Sequence, residues 1–271
     1  MLFFELYDSI RPWIEEHRKP GLAVVALGED GIQAKAHLCA ADGVNSAIAG
    51  RHELADIWLA DDPAVSLRHL AVVVFLEKGR VRYRLVDLRT SSGFTDHAGH
   101  VLRACEAEDA LFIRCGRYSV MFVPTTAETN WPKKPRDMWQ ALRSRQAATF
   151  AAAQPATIDE GWLSRDEEPL GELLIRSQQG IGTMAVGGRA LAAGILLGRS
   201  DRCDGDVLLS DPHISRVHLL IVELAGRLYA IDTASRNGIF NRGSGERVRL
   251  LKSGSRLSLS GLVSIEWRYF H

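Results

Sequence analysis

The stretch GRSDRCDGDVLLSDPHISRVHLLIVELAGRLYAIDTASRNG, residues 198–238, carries the most information about the fold. Its short apolar runs, such as VHLLIVEL and RLYAID, are separated by turns rich in Gly, Asp and Ser. Similar short runs continue to residue 271. Closely spaced runs of this kind are typical of an antiparallel β-sandwich rather than of alternating strands and helices.

Three short motifs follow one another within this stretch. They are Gly198-Arg199-Ser200, then Ser215-Arg216-Val217-His218, then the heptapeptide DTASRNG at residues 232–238. Each motif alone is weak evidence, but their order and spacing together are specific.

The N-terminal half carries the same pieces in the same order. GRH at residues 50–52 is followed by SLRH at residues 66–69 and DLRTSSG at residues 87–93. The Ser-to-His and Asp-to-Gly intervals are identical in the two halves, and the intervals that differ fall where a hairpin turn can absorb length. This indicates an internal repeat.

The ordered motifs resemble the signature of the forkhead-associated (FHA) family, which is G-R, then S-x-x-H, then D-x-x-S-x-N-G within a β-sandwich. The resemblance covers about residues 171–271, and residues 20–124 resemble a second, degenerate copy. It implies a mainly β protein with two FHA-like sandwiches, and an adaptor or scaffold that binds phosphothreonine proteins in Ser/Thr-kinase signalling.

Phosphothreonine brings nearly two negative charges and three acceptor oxygens, so its receptor needs fixed donors and a cation. The planar fork of Arg199 supplies charge-assisted hydrogen bonds, and Ser215 adds a hydroxyl. The resemblance implies that Arg216 and Asn237 hold the peptide and that Arg236 lies beside the phosphothreonine. We therefore expect the phosphopeptide to bind Arg199, Ser200, Ser215, Arg216, Arg236 and Asn237, with His218, Asp232, Ser235 and Gly238 fixing the loops.

The N-terminal copy departs from the family pattern at positions that hold the peptide. Ser92 stands where Asn237 stands, and Leu67 stands where Arg216 stands. Attraction for phosphate could survive these changes while specificity weakens. A degenerate second site is expected at Arg51, Ser66, His69, Ser91 and Ser92.

Four segments are predicted along the chain. Residues 1–19 are an N-terminal helical segment with a short helix over residues 4–17. Leu6, Ile10, Trp13 and Ile14 lie on one face of this helix, and Pro12 delays its start or kinks it. Residues 20–124 and 171–271 form the sandwiches. Residues 125–170 form a Pro-rich connector with a helix over residues 136–153, whose tryptophans favour docking on one or both domains.

Composition argues against several functional classes. Lys+Arg and Asp+Glu are both 33, so no global positive charge attracts nucleic acid or an anionic membrane. No apolar run is long enough to insert into a membrane, and no signal peptide is evident. The four cysteines show no metal-ligand spacing, so we expect a cytoplasmic protein without metal or cofactor. The oligomeric state stays open.

Two other functions compete with phosphothreonine binding. Ser215, His218 and Asp232 could suggest a catalytic triad, but no G-x-S-x-G elbow is present and the set recurs as a repeat, so we expect no enzyme. The main alternative is a phosphorylation-independent interaction scaffold, and a hydrolase is the weaker one.

Overall fold

Two compact units, Met1–Phe150 and Ala151–His271, make up the chain in a computed structural model. The structure describes residues 2–128, 131–143, 148–150, 167–239 and 246–270. Both units are built mainly from antiparallel strands, which confirms the predicted fold class.

The first unit combines two six-stranded sheets with two helices. The elements are α1 (Leu2–Glu15), β1 (Gly21–Gly28), β2 (Gly31–Cys39), β3 (Asn45–Gly50), β4 (Ile57–Trp58), β5 (Leu70–Glu77), β6 (Arg80–Asp87), β7 (Phe94–Thr95), β8 (Val101–Leu102), β9 (Ala104–Ala107), β10 (Leu111–Cys115), β11 (Tyr118–Thr125), α2 (Pro135–Arg143) and β12 (Ala148–Phe150). One sheet has the strand order β2-β1-β11-β10-β7-β8, and the other has the order β12-β9-β6-β5-β3-β4.

The two sheets of the first unit enclose one core. Alternate residues of each strand point to the same face, so Leu22 and Val24 of β1 face Val72 and Val74 of β5 across the sandwich. Tyr83 of β6 is buried in the same cluster. The apolar runs of the sequence therefore form this core.

The strand β1 is buried on both faces, because helices cover the outer side of its sheet. Val25 of β1 packs in a second cluster with Tyr7 and Ile10 of α1 and Met138 of α2. The first unit is therefore a sandwich with an additional helical layer.

The N-terminal helix is present but differs from its prediction. It begins at Leu2 and continues through Pro12 without ending there. Its buried face contains Phe3 and Tyr7, while the predicted Leu6 and Trp13 are only partly buried at its margin. Packing against the sheet compensates for the backbone donor that proline lacks.

The connector contributes structure to the first unit. Its helix α2 ends at Arg143 rather than at the predicted Ala153, and residues 148–150 form β12, which pairs with β9. Trp131 stacks on Tyr7 with 6.3 Å between ring centroids. For residues 148–150, pairing with an open sheet edge outweighs the helix propensity of the sequence. Residues 144–147 and 151–166, which include Trp162 and part of the predicted helix, lie outside the described residues.

The second unit is a smaller sandwich of two four-stranded sheets. Their orders are β14-β13-β20-β19 and β15-β16-β17-β18, and both bury apolar side chains in one core. The elements are β13 (Gly171–Ser177), β14 (Gly180–Val186), α3 (Gly188–Ala193), β15 (Ile195–Leu197), a 3-10 helix (Asp206–Leu209), β16 (Leu219–Leu224), β17 (Arg227–Asp232), β18 (Val248–Leu251), β19 (Arg256–Leu259) and β20 (Val263–Tyr269).

The strand order of the second unit recurs in the first. β14-β13-β20-β19 corresponds to β2-β1-β11-β10, and β15-β16-β17-β18 corresponds to β3-β5-β6-β9. The first unit adds β4, the β7–β8 hairpin and β12 to this arrangement.

Thr125 of β11 links His37 of β2 to the segment that follows α1. Thr125 Oγ1 donates to Lys19 O at 3.0 Å, so it accepts from His37 Nε2 at 2.9 Å. Burial, with a smaller contribution from His17, lowers the pKa of His37 from 6.5 to about 4. The unfolded chain therefore takes up a proton between these values and the folded chain does not.

We predict that the first unit loses stability as pH falls from 6.5 toward 4, because protonation of His37 favours the unfolded chain. Urea unfolding at several pH values measures this. His37→Gln should reduce the slope in this window, since glutamine can donate to Thr125 but does not titrate. Equal slopes for the two proteins would contradict the prediction.

Candidate anion-binding site

The loops that carry the predicted site are tied together by backbone hydrogen bonds. The Arg199 amide donates to Ser215 O at 3.2 Å, and the Ser200 amide donates to Arg216 O at 3.1 Å. A Cβ at Gly198 would collide with the backbone oxygen of Arg216. Glycine is required here because two loop backbones lie in direct contact.

A buried histidine connects three segments. The Nδ1 atom of His218 accepts from the Ser215 amide at 3.0 Å, so the ring proton is on Nε2, which donates to Gly238 O at 2.9 Å. The His218 amide donates to Leu197 O, and its carbonyl accepts from Thr233. His218 therefore fixes both binding loops against the strand that precedes Arg199.

The last loop is closed by a carboxylate and a hydroxyl. Asp232 accepts from the Ser235 amide at 2.6 Å and from its hydroxyl at 3.0 Å, and Ser235 Oγ accepts from the Gly238 amide at 3.0 Å. Gly238 has a φ of +74°, a conformation that disfavours side chains. Together with His218, these residues hold the loop that presents Arg236 and Asn237.

Two polar side chains reach across the loops. Ser215 Oγ accepts from the Arg236 amide at 3.1 Å, which leaves its hydroxyl proton available to an incoming anion. Asn237 Nδ2 donates to His213 O at 2.8 Å. The side-chain oxygen of Asn237 has no partner within the described part of the chain.

Three arginines surround these groups. The side chains of Arg199, Arg216 and Arg236 are exposed, and no described residue forms a hydrogen bond or ion pair with their guanidinium groups. Ser200 differs, since its hydroxyl donates to Asp201 at 3.1 Å and would have to exchange that bond for a ligand. The site offers three cations and a hydroxyl on fixed backbones, which suits an anion with several oxygens.

The three residues that could form a triad have other partners. His218 bonds the backbone of Ser215, whereas the Ser215 hydroxyl bonds Arg236. The Asp232 carboxylate bonds Ser235. The nucleophile–base–acid relay of a serine hydrolase is not formed by these residues.

The first unit repeats the backbone framework. The Arg51 amide donates to Ser66 O at 3.1 Å, and the His52 amide donates to Leu67 O at 3.0 Å. A Cβ at Gly50 would collide with the backbone oxygen of Leu67, as at Gly198.

The hydrogen bonds by which a buried histidine joins two loops are repeated too. His69 Nδ1 accepts from the Ser66 amide at 3.0 Å, and Nε2 lies 2.7 Å from Gly93 O. Thr90 Oγ1 donates to Asp87 at 2.6 Å and accepts from the Gly93 amide at 2.9 Å. Thr90 thus replaces Ser235, a role that the sequence analysis missed although both residues stand three positions after the aspartate.

A second residue of the first unit was also missed. Arg103 donates to the Asp87 carboxylate at 2.7 Å and to Thr90 O at 2.5 Å, so it fixes the same loop from outside. The sequence pattern gave no signal for it, because it lies beyond the three motifs.

The ligand-facing groups of the first unit are different. Ser92 Oγ donates to Ala64 O at 3.3 Å, in the place of the Asn237 bond. Arg51 Nε donates to Val65 O at 2.8 Å, so its guanidinium is held by the neighbouring loop that precedes β5. Leu67 and Ser91 occupy the places of two exposed arginines. The framework is kept, while two of the three cations are lost.

Two other kinds of site are absent from the described regions. No helix there is both long and apolar enough to cross a membrane. No group of three or more His, Cys, Asp or Glu side chains there is arranged to hold a metal ion.

We predict that Ser235→Ala destabilises the second unit by about 1–3 kcal/mol, because it removes a bond to Asp232 and leaves the Gly238 amide unpaired. Ser235→Thr should retain stability, since Thr90 makes the same bonds in the first unit. Ser200→Ala is the matched control. Hydrogen exchange of the strands of the second unit measures the effect, and unchanged protection in Ser235→Ala would disprove it.

Comparison with known proteins identifies the second unit. Residues 195–260 match the family model of the FHA domain, and this span contains all three motifs, from Gly198 to Gly238. No curated protein matches the chain.

Several solved structures are similar to part of the chain. The FHA domain of the CT664 protein from Chlamydia trachomatis is 18% identical, with 38% of this chain and 96% of that chain covered and a TM-score of 0.32. FHA-1 of Rv1747 from Mycobacterium tuberculosis is 20% identical, with 40% and 98% covered and a TM-score of 0.30. EmbR from Mycobacterium tuberculosis, in complex with a low affinity phosphopeptide, is 23% identical, with 40% and 26% covered and a TM-score of 0.30. On the match to the family model, the chain carries an FHA domain at residues 195–260.

Proposed function

We propose that this protein is a phosphothreonine-dependent adaptor or scaffold in Ser/Thr-kinase signalling, and that residues 171–271 bind the phosphorylated partner. The observation that carries the proposal is the set of exposed guanidinium groups of Arg199, Arg216 and Arg236 around the Ser215 hydroxyl. Recognition of phosphorylated motifs by arginines is the mode that FHA domains use.

The chemistry of the three arginines suits phosphothreonine in particular. A phosphate monoester needs several charge-assisted hydrogen bonds, and a guanidinium supplies two in parallel. Because the chain has no net charge, attraction must come from this local cluster. Arg199 and Ser215 are proposed to bind the phosphate, with Arg236 beside it.

The backbone of the bound peptide needs neutral partners. The free side-chain oxygen of Asn237 can accept from a peptide amide, since its nitrogen is already held by His213. Arg216 is proposed to contact the peptide on the other side, and Ser200 to join after it releases Asp201. Fixed loops reduce the entropy lost on binding.

Residues 20–124 are proposed to be a second, degenerate FHA copy. The shared strand order supports this, and so do the hydrogen bonds by which His69, like His218, joins two loops. Since Arg51 is held by Val65 and Leu67 replaces an arginine, we expect weak phosphopeptide binding at this copy.

Other parts of the proposal follow from composition. The partner is a protein, not nucleic acid, and the protein acts in the cytoplasm without inserting into membranes. A phosphorylation-independent scaffold remains the alternative function, and phosphorylated and unphosphorylated versions of one peptide distinguish the two.

We predict that Arg199→Ala weakens phosphothreonine-peptide binding by about tenfold or more, since a hydrogen bond to a charged group contributes about 1.5–3 kcal/mol. A phosphopeptide library identifies the ligand, and calorimetry on the full chain gives its affinity. Arg227→Ala, an exposed arginine at the start of β17, is the control. Equal affinities for Arg199→Ala and wild type would refute the assignment.

The two copies should respond differently to the same change. We predict that Arg51→Ala leaves phosphopeptide affinity of the full chain within about twofold of wild type, because the Arg51 guanidinium already has a backbone partner. Fluorescence anisotropy with the selected peptide measures both variants. A loss in Arg51→Ala as large as that in Arg199→Ala would show that the first copy binds equally well.

A further inference from the structure

The outer face of the first unit holds a cavity that the proposed function does not use. Its floor is a row of residues on four neighbouring strands. Arg114 of β10 pairs with Thr95 of β7 on one side and Ser119 of β11 on the other, and Ser119 pairs with Leu27 of β1. All four residues line the cavity.

Leu27 of this row is buried in the cluster formed with α1 and α2, whereas Thr95, Arg114 and Ser119 do not belong to that cluster. The neighbouring row, Phe112 with Met121 and Val25, is buried under α1 and α2. The rings of Phe3, Phe112 and Trp139 pack together, with centroids 5.4 Å apart for each of the two pairs with Trp139. Phe4 lies against Trp139 as well. These rings form an aromatic wall beside the polar part of the floor, Thr95, Arg114 and Ser119.

The opposite wall is the turn of the β7–β8 hairpin, residues 96–99. Asp96 holds this turn, because its Oδ1 accepts from the amides of Ala98 and His100 at 2.8 and 2.9 Å and its Oδ2 contacts the His100 ring at 3.0 Å. The Asp96 carboxylate is therefore committed to the hairpin.

Two arginines, Arg114 and Arg117, line the cavity. Arg117 lies over the ring of Tyr118, 5.5 Å from its centroid, and Glu29 lines the same side. The Arg114 side chain is exposed, and its guanidinium forms no hydrogen bond or ion pair with any residue that the structure describes. The Arg114 guanidinium lies between two hydroxyl residues, Thr95 and Ser119, and can donate charge-assisted hydrogen bonds to an acidic group of a ligand.

We propose that this cavity binds a small aromatic anion, with its ring system on the aromatic wall and its acidic group on Arg114. The volume of about 610 Å³ lies within the range of small-molecule sites. Aromatic rings prefer offset or edge contacts with aromatic partners, which the wall of Phe3, Phe4, Phe112 and Trp139 offers.

The elements that build the cavity are additions to the repeated sandwich. α1, α2 and the β7–β8 hairpin do not belong to the strand order that the two units share. The cavity is thus a property of the first unit, and its ligand is independent of phosphopeptide binding at the second.

The test uses two fluorescent probes with the full chain. 8-Anilinonaphthalene-1-sulfonate is an aromatic anion, and N-phenyl-1-naphthylamine is a neutral molecule of the same shape. We expect one saturable sulfonate site per chain. Arg114→Gln should lower the affinity for the sulfonate by about tenfold or more and the affinity for the neutral probe by less than about twofold. Ser119→Phe should exclude both probes by filling the floor.

Two arginine variants serve as controls. Arg80→Gln removes an exposed cation elsewhere in the first unit, and Arg199→Ala removes one from the phosphopeptide site. Both should bind the sulfonate as wild type does. If Ser119→Phe fails to fold, Trp139→Ala is used in its place. This variant should weaken the binding of both probes, because it removes part of the aromatic wall.

The proposal is overturned if the sulfonate does not saturate, or if Arg114→Gln binds both probes like wild type. It is also overturned if Arg199→Ala alone abolishes sulfonate binding, because the dye then occupies the other site. None of these results bears on phosphopeptide recognition, which is measured separately.

Discussion

One buried imidazole holds the candidate site together. His218 is completely buried, accepts from the amide of Ser215 and donates to the carbonyl of Gly238, so two loops far apart in sequence share one rigid link. A protonated ring could not accept from Ser215, and the site geometry therefore requires the neutral form. Ser215, Arg216, Arg236 and Asn237 lie on these two loops. Arg199 and Ser200 follow the strand whose Leu197 carbonyl accepts from the His218 amide. His69 imposes the same constraint on the first unit.

The two units show how a fixed framework allows different surfaces. The bonds that shape the loops are internal, so a change of framework residue must conserve hydrogen bonding, as Thr90 does for Ser235. The side chains that face solvent carry no such requirement. Leu67 can replace an arginine without disturbing the loop, since its position is fixed through its backbone carbonyl. Loss of cations and retention of the fold are thus compatible.

The sequence allowed prediction of much of this framework and little of what is added to it. Motif spacing predicted the FHA domain, and short apolar runs separated by turns predicted the sheets. It did not predict that residues 148–150 leave a helical pattern to become a strand, because the open edge of β9 is a tertiary feature. It also missed Arg103, which lies outside the motifs, and the cavity around Arg114, which exists only where two helices end above a sheet. Local patterns report strands and turns, whereas such sites depend on packing between distant segments.

The pairing of β12 with β9 matters for where the chain can be divided. An exposed strand edge presents unpaired amides and carbonyls to which other chains can add. A fragment cut after residue 124 would expose the β9 edge and remove α2 from the sheet that it covers. Such a fragment would tend to self-associate through that edge, and its behaviour would reflect the cut rather than the domain. A faithful N-terminal fragment extends at least to residue 150.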